Sequence, residues 1–199
     1  MTRSWRLLTA AALASGIVCQ FLQQTDPVTP LAYFTVWSAC LGVVSMLVGA
    51  TLPSRLTGSL AGPAAAGCVM SGIVFATVIA PATPTGSWFQ PWDDTWVRAA
   101  NVLLHGVGPL MIAIDYIAAG PLPSRSWRAA CTWCVWPLLY LVVVTSTRGR
   151  TPYPFLDVDE VGIAGAILAV CGLALVFALL GRLLIEVGRR ARRDATPPP

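Results

Sequence analysis

The sequence has no lysine, a single histidine and few charges of either sign: 13 arginines face 9 aspartates and glutamates, 11% of 199 residues. Soluble domains carry about 25% charged residues. This deficit, with 56% hydrophobic residues and a mean hydropathy of +0.69, excludes an ordinary water-soluble domain. The arginines are spread over segment ends and the tail, which argues against a nucleic-acid partner. His105 has no second imidazole with which to share a metal or haem iron, so no cofactor and no metal are expected. No internal repeat is visible, and the interrupted, paired halves typical of transporters are missing with it. The six cysteines all fall in apolar stretches, where free cysteine serves as a small buried hydrophobe. Cys131 and Cys134 form a C-x-x-C with no second ligand pair, so packing is the reading for them too.

Long apolar runs are what the chain does have. Six can be drawn, at about 5–24, 31–52, 60–80, 96–118, 127–147 and 160–186; crossing a bilayer takes about 20 residues. Turn chemistry separates them at Thr25-Asp26-Pro27, Leu52-Pro53-Ser54, Pro81 to Pro91, Gly120 to Pro123 and Gly149 to Pro154. The expected fold class is all-α, an integral membrane bundle of six transmembrane helices over residues 1–188. A basic, Pro-rich cytoplasmic tail at 189–199 is expected to be disordered. The first run has the basic start of a signal peptide, with Ala12-Leu13-Ala14 resembling a cleavage site. It continues to Phe21-Leu22, which favours a retained helix. Cys19 follows Val18, not the small residue that precedes a lipoprotein cysteine.

With the N-terminus inside, ten arginines fall on the cytoplasmic side. Only Arg98, Arg148 and Arg150 fall on the other, alongside Asp26, Asp93, Asp94, Asp157, Asp159 and Glu160. This asymmetry is the positive-inside pattern and predicts that both termini are cytoplasmic. The outer loops hold Trp88, Phe89, Trp92 and Trp96, then Tyr153 and Phe155, read as an interfacial belt or a substrate-access rim. Asp93-Asp94-Thr95 and Asp157 to Glu160 are placed to cap the two helices that follow them.

The run from Trp96 to Ile117 carries Asn101, His105, Pro109 and Asp115. Ionisable groups inside a bilayer cost about 2.5–3.5 kcal/mol or more and mark functional sites. Asn101 lies one turn before His105 on the same face. Asp115 lies about 15 Å deeper and is expected at the inner interface, paired with Arg125 or Arg128. In the second run, Thr35, Ser38, Gly42, Ser45 and Gly49 share one face, a small-residue stripe that lets helices approach closely. Thr35 and His105 fall roughly 6 and 13 Å below the outer interface at about 1.5 Å per residue. Three readings compete for His105: a packing histidine, a catalytic base beside a hydroxyl, and a station on a proton or solute path that includes Asp115.

The stretches Tyr33-Phe34-Thr35-Val36-Trp37-Ser38, Asn101 to His105 with Pro109 and Asp115, and Tyr153-Pro154-Phe155-Leu156-Asp157 resemble the androgen-induced protein family. That family includes the androgen-dependent TFPI-regulating protein and a branch of small bacterial membrane proteins. The resemblance covers about residues 5–185. It implies a multi-pass protein of a bacterial plasma membrane and a hydrolase of fatty acid esters of hydroxy fatty acids. It also implies a threonine nucleophile at Thr35 and a histidine base at His105. The substrate would be a lipid or amphipathic ester, reached among membrane lipids. Tyr33, Trp37, Ser38 and Asn101 are the substrate-binding or oxyanion candidates. Rhomboid-type proteolysis is disfavoured, because Ser71-Gly72 lacks the glycine two residues before the serine. The alternatives are a non-catalytic membrane protein and a small-molecule or proton transporter using His105 and Asp115. The oligomeric state stays open.

Overall fold

The structure, a computed structural model, describes residues 1–52, 55–148 and 151–194. Among the described residues six long helices follow one another: α1 (Arg3–Leu22), α2 (Phe34–Thr51), α3 (Arg55–Val74, prolonged through Phe75–Ile79 to Ala82), α4 (Thr95–Ala119), α5 (Ser126–Arg148) and α6 (Val158–Asp194). Each is long and apolar enough to cross a membrane, and no strand occurs among the described residues. The chain is an all-α bundle with the pattern of a multi-pass membrane protein.

Two sets of polar contacts define its ends. At one end the Arg6 guanidinium pairs with Asp115 at 3.1 Å and donates to the Gly49 carbonyl at 2.5 Å, joining the start of α1 to the ends of α2 and α4. The side chain of Asp115 is almost fully buried. Its partner is therefore Arg6, not the expected Arg125 or Arg128, because α1 packs between α2 and α4 and brings its first turn to the end of α4. At the other end Asp94 caps α4 through the Val97 N–H at 2.8 Å and accepts from Gln24 N–H at the end of α1. These N–H groups hold the Asp94 carboxyl below its usual range.

Small residues set the helix spacing. Leu13 of α1 is fully buried against Gly42 of α2 and Gly108 of α4, and a Cβ at either glycine would meet it at 2.8 and 2.5 Å. Ser38, Gly42 and Ser45 are buried, so the stripe on α2 faces its neighbours. Trp133 of α5 fills the space left by Gly62 of α3 and Gly181 of α6.

Helix ends depart from the expected ones for local reasons. Pro30 opens a separate 3₁₀ turn, Pro30–Ala32, so α2 starts at Phe34 and Thr35 lies in its first turn. In α6, Gly162 adopts φ 70°, a left-handed conformation that suits glycine and breaks the first turn from the rest. The helix then continues to Asp194, which corrects the expectation of disorder from 189. Arg192 donates to the Tyr116 and Ile117 carbonyls at the end of α4, and Arg189 to the Pro123 carbonyl. Residues 195–199 of that tail lie outside the described residues. The cysteine expectation also needs correction. Cys19 and Cys68 are buried, but Cys40, Cys131 and Cys171 are exposed on the bundle surface. In lipid an outward helix face is as apolar as an inward one, so an apolar stretch alone does not report burial.

Two helices widen at the same level. Phe75–Ile79 of α3 and Val102–Val107 of α4 are π segments, and each precedes a proline, Pro81 and Pro109. Proline cannot donate back to the carbonyl four residues earlier, and its ring crowds that carbonyl. The chain meets this by bonding five residues apart instead, as from the Ala80 N–H to Phe75 and from the Gly108 N–H to Leu103. Pro109 is thus accommodated by a local widening. Phe75 and His105 lie in the two widened segments.

Candidate functional site

His105 sits in the α4 widening with its ring flat against Phe75, the centroids 3.9 Å apart and the planes 8° from parallel. Trp88, on the α3–α4 loop, packs edge-on against the other ring at 5.2 Å. Nδ1 of His105 lies 3.3 Å from the Ser71 carbonyl of α3. A carbonyl only accepts, so this contact places the proton on Nδ1 and leaves Nε2 with its lone pair. Gly72 allows the approach, since a Cβ there would lie 2.6 Å from the His105 carbonyl oxygen. That carbonyl is the one Pro109 leaves without its helical donor.

Thr35 lies in the first turn of α2, where the Val36 and Trp37 N–H groups donate to the Tyr33 carbonyl at the cap. Its neighbour Phe34 donates its N–H to the Tyr153 hydroxyl at 3.1 Å. Tyr153, on the loop before α6, is buried with its phenol among the Phe34 N–H and the hydroxyls of Tyr140 and Thr35. Burial pushes its pKa up to about 12, against the opposing pull of those three partners. Tyr140 donates to the Ala32 carbonyl at 2.6 Å, which locks the same corner of the bundle.

Thr35 and His105 share two cavities. One, of about 100 Å³, lies among α3, α5 and α6 and is lined by apolar side chains such as Met70, Val74, Leu138, Leu173 and Phe177. The other, of about 380 Å³, lies under the loops at the acidic end and is lined by Asp26, Tyr33, Gln90, Asp93 and Asn101 among others. Five residues line both: Thr35, Phe75, Ile79, His105 and Tyr153. Thr35 and His105 therefore both border an apolar chamber and a more polar one.

The remaining candidates divide. Asn101 lines the polar chamber, but its amide donates to the Trp88 carbonyl at 3.1 Å and so anchors the loop that backs the ring stack. Tyr33 lines the same chamber and donates to Asp26 at 2.6 Å; burial and that carboxylate raise its pKa well above the ordinary phenol range. Ser38 and Trp37 line neither chamber. Ser38 is fully buried and accepts from Trp136 Nε1 at 3.4 Å, and the Trp37 indole donates to the Leu31 carbonyl at 2.9 Å. These two hold α2 to its surroundings and do not reach the junction.

Three contributors escape sequence reasoning: Phe75, Tyr140 and the Ser71 carbonyl. Tyr153 is visible in the sequence only as a loop aromatic. The Ser71 hydroxyl itself donates to the Gly67 carbonyl of its own helix at 2.9 Å, which leaves the peptide oxygen to meet His105. The six cysteines are free, and no group of three metal-ligating side chains gathers among the described residues.

No protein-family model matches the chain, and neither a curated protein nor a solved structure matches it.

Proposed function

We propose that the protein is an intramembrane hydrolase of lipid esters, with Thr35 as nucleophile and His105 as general base. The observation that carries this reading is that Thr35 and His105 both line an apolar chamber and a more polar one. An amphipathic ester can lay its acyl chain in the apolar chamber and its alcohol half in the polar one, with the carbonyl between them. The tautomer held by the Ser71 carbonyl suits the role, because Nε2 is the atom left to accept a proton.

In the first step Thr35 Oγ forms a bond to the ester carbonyl carbon while Nε2 of His105 takes the hydroxyl proton. The tetrahedral intermediate collapses with cleavage of the carbon–oxygen bond to the alcohol, which leaves with the proton from His105. Water from the polar chamber then gives its proton to Nε2 and attacks the acyl-threonine, releasing the acid and restoring the threonine. The developing oxyanion needs donors fixed in advance. The Thr35 N–H, in the first turn of α2, and the Tyr153 hydroxyl are the donors this reading assigns to it. The arginine distribution supports an orientation with both termini cytoplasmic and the polar chamber on the outer side, in a bacterial plasma membrane. The motif resemblance to threonine hydrolases points to the same pair.

The test is turnover of a long-chain ester by protein purified in detergent or nanodiscs. Thr35→Ala and His105→Gln should each lower kcat/KM at least 100-fold, the scale of a lost base or nucleophile, while the thermal midpoint stays close to that of the parent. Wild-type turnover in both variants would remove the proposal and leave His105 as a packing residue.

A further inference from the structure

The polar chamber is unevenly equipped. Asp26 and Asp93 line it, and no arginine among the described residues does. Asp26 already accepts from Tyr33 and from the Val28 N–H, and Asp93 accepts from the Gln90 N–H through one oxygen. Among the described residues, the two guanidiniums at this end of the bundle are held by neutral oxygens, Arg98 against the backbone of the chamber wall. Arg98 donates to the Asp93 and Gln90 backbone carbonyls, and Arg148 to the Thr29 hydroxyl. Asp94 adds a third carboxylate beside the chamber, bound by the Gln24, Val97 and Thr25 donors. Among the described residues named here, three carboxylates against two guanidiniums leave the net sign negative, and walls of low dielectric strengthen that field.

A carboxylate accepts hydrogen bonds and does not donate them; each can take about four. The chamber therefore has acceptors to spare and repels anions. Resting on the ester hydrolase reading, we infer that the outer chamber binds the alcohol half of the substrate, and that this half is a hydroxyl-bearing head group without a carboxylate. A glycerol-like alcohol fits: its hydroxyls donate to Asp26 and Asp93 while the acyl chain lies in the apolar chamber. An ester whose alcohol half is itself a hydroxy fatty acid brings a carboxylate, which meets like charge there. The preferred substrate thus departs from the one that the family resemblance implies.

The experiment compares kcat/KM for two esters with the same oleoyl chain, 1-oleoylglycerol and the oleoyl ester of a hydroxystearic acid, on the full chain in nanodiscs. The glycerol ester should be preferred at least tenfold. Asp26→Asn with Asp93→Asn, which keeps an acceptor oxygen at each position, should narrow that ratio at least threefold, chiefly through a lower KM for the carboxylated ester. Asp93→Asn alone should narrow it in the same direction if the double variant folds poorly. A preference for the carboxylated ester, or a ratio that neither variant moves, overturns the inference while the hydrolase reading stands. No turnover of either ester, together with no labelling of Thr35 by a fluorophosphonate, overturns the hydrolase reading beneath it.

Discussion

At the scale of single residues, the site depends on groups that polarity alone does not reveal. Thr35 and His105 stand out in the sequence because His105 is the single imidazole and Thr35 a hydroxyl in the same outer half of another apolar run. Phe75 does not, because in such a run a ring that stacks on a histidine reads the same as one that faces lipid. The Ser71 carbonyl has no sequence signature, since every residue carries one. Tyr153 is the residue whose role is easiest to isolate. Tyr153→Phe keeps the ring against Phe155 and removes only the hydroxyl beside Thr35 and the Phe34 N–H. Loss of one oxyanion donor costs about 100- to 1,000-fold in kcat, so the variant should lose at least tenfold in kcat with little change in KM. Unchanged kcat would assign Tyr153 to packing. With a pKa of about 12, the phenol stays protonated up to near that pH, so it introduces no alkaline limb in the rate profile below pH 11.

At the scale of helices, prolines and glycines do the positioning. Pro81 and Pro109 are legible as interruptions, but a sequence does not say whether a helix answers a proline by bending or by widening. Here both helices widen, and the two wide turns bring Phe75 and His105 face to face. Gly72 is the contact that lets α3 reach His105. A methyl group at that position would lie 2.6 Å from the His105 carbonyl oxygen, a backbone atom that cannot swing aside. Gly72→Ala should therefore push the helices apart, lengthen the contact between Nδ1 and the Ser71 carbonyl, and lower turnover at least tenfold. Gly58→Ala, on the same helix, meets nothing within 4 Å and serves as the control. Equal activity in the two variants would mean that the tautomer-fixing contact is not needed.

At the scale of the molecule, the bundle separates a structural end from a chemical one. The six spans were legible because run length and turn residues agree, and the charge asymmetry was legible because arginines gather at one end. Partner choice was not. Asp115 was expected at an interface with a nearby arginine, yet it pairs with Arg6, 109 residues away, because only the packing of α1 between α2 and α4 brings them together. Nor is the docking of the last helix legible in a run of arginines: Arg192 binds carbonyls at the end of α4 and Arg189 those of the loop after it, while Arg190 and Arg193 stay exposed. The Arg6 pair predicts a division of effects. Asp115→Ala leaves a largely buried guanidinium without its carboxylate, which costs about 3–5 kcal/mol. It should lower the thermal midpoint sharply, while the protein that remains folded keeps its turnover per molecule. Lost turnover in a fully folded Asp115→Ala protein would instead favour a path that uses Asp115 in function.

The central claim is that Thr35 becomes acylated with His105 as its base. Its most direct test is peptide mass spectrometry on the full chain after treatment with a fluorophosphonate, which traps an activated hydroxyl as a stable adduct. The account predicts the adduct on Thr35, its loss in Thr35→Ala, and at least a 100-fold slower reaction in His105→Gln. An adduct on another residue, or undiminished labelling in Thr35→Ala, would contradict it.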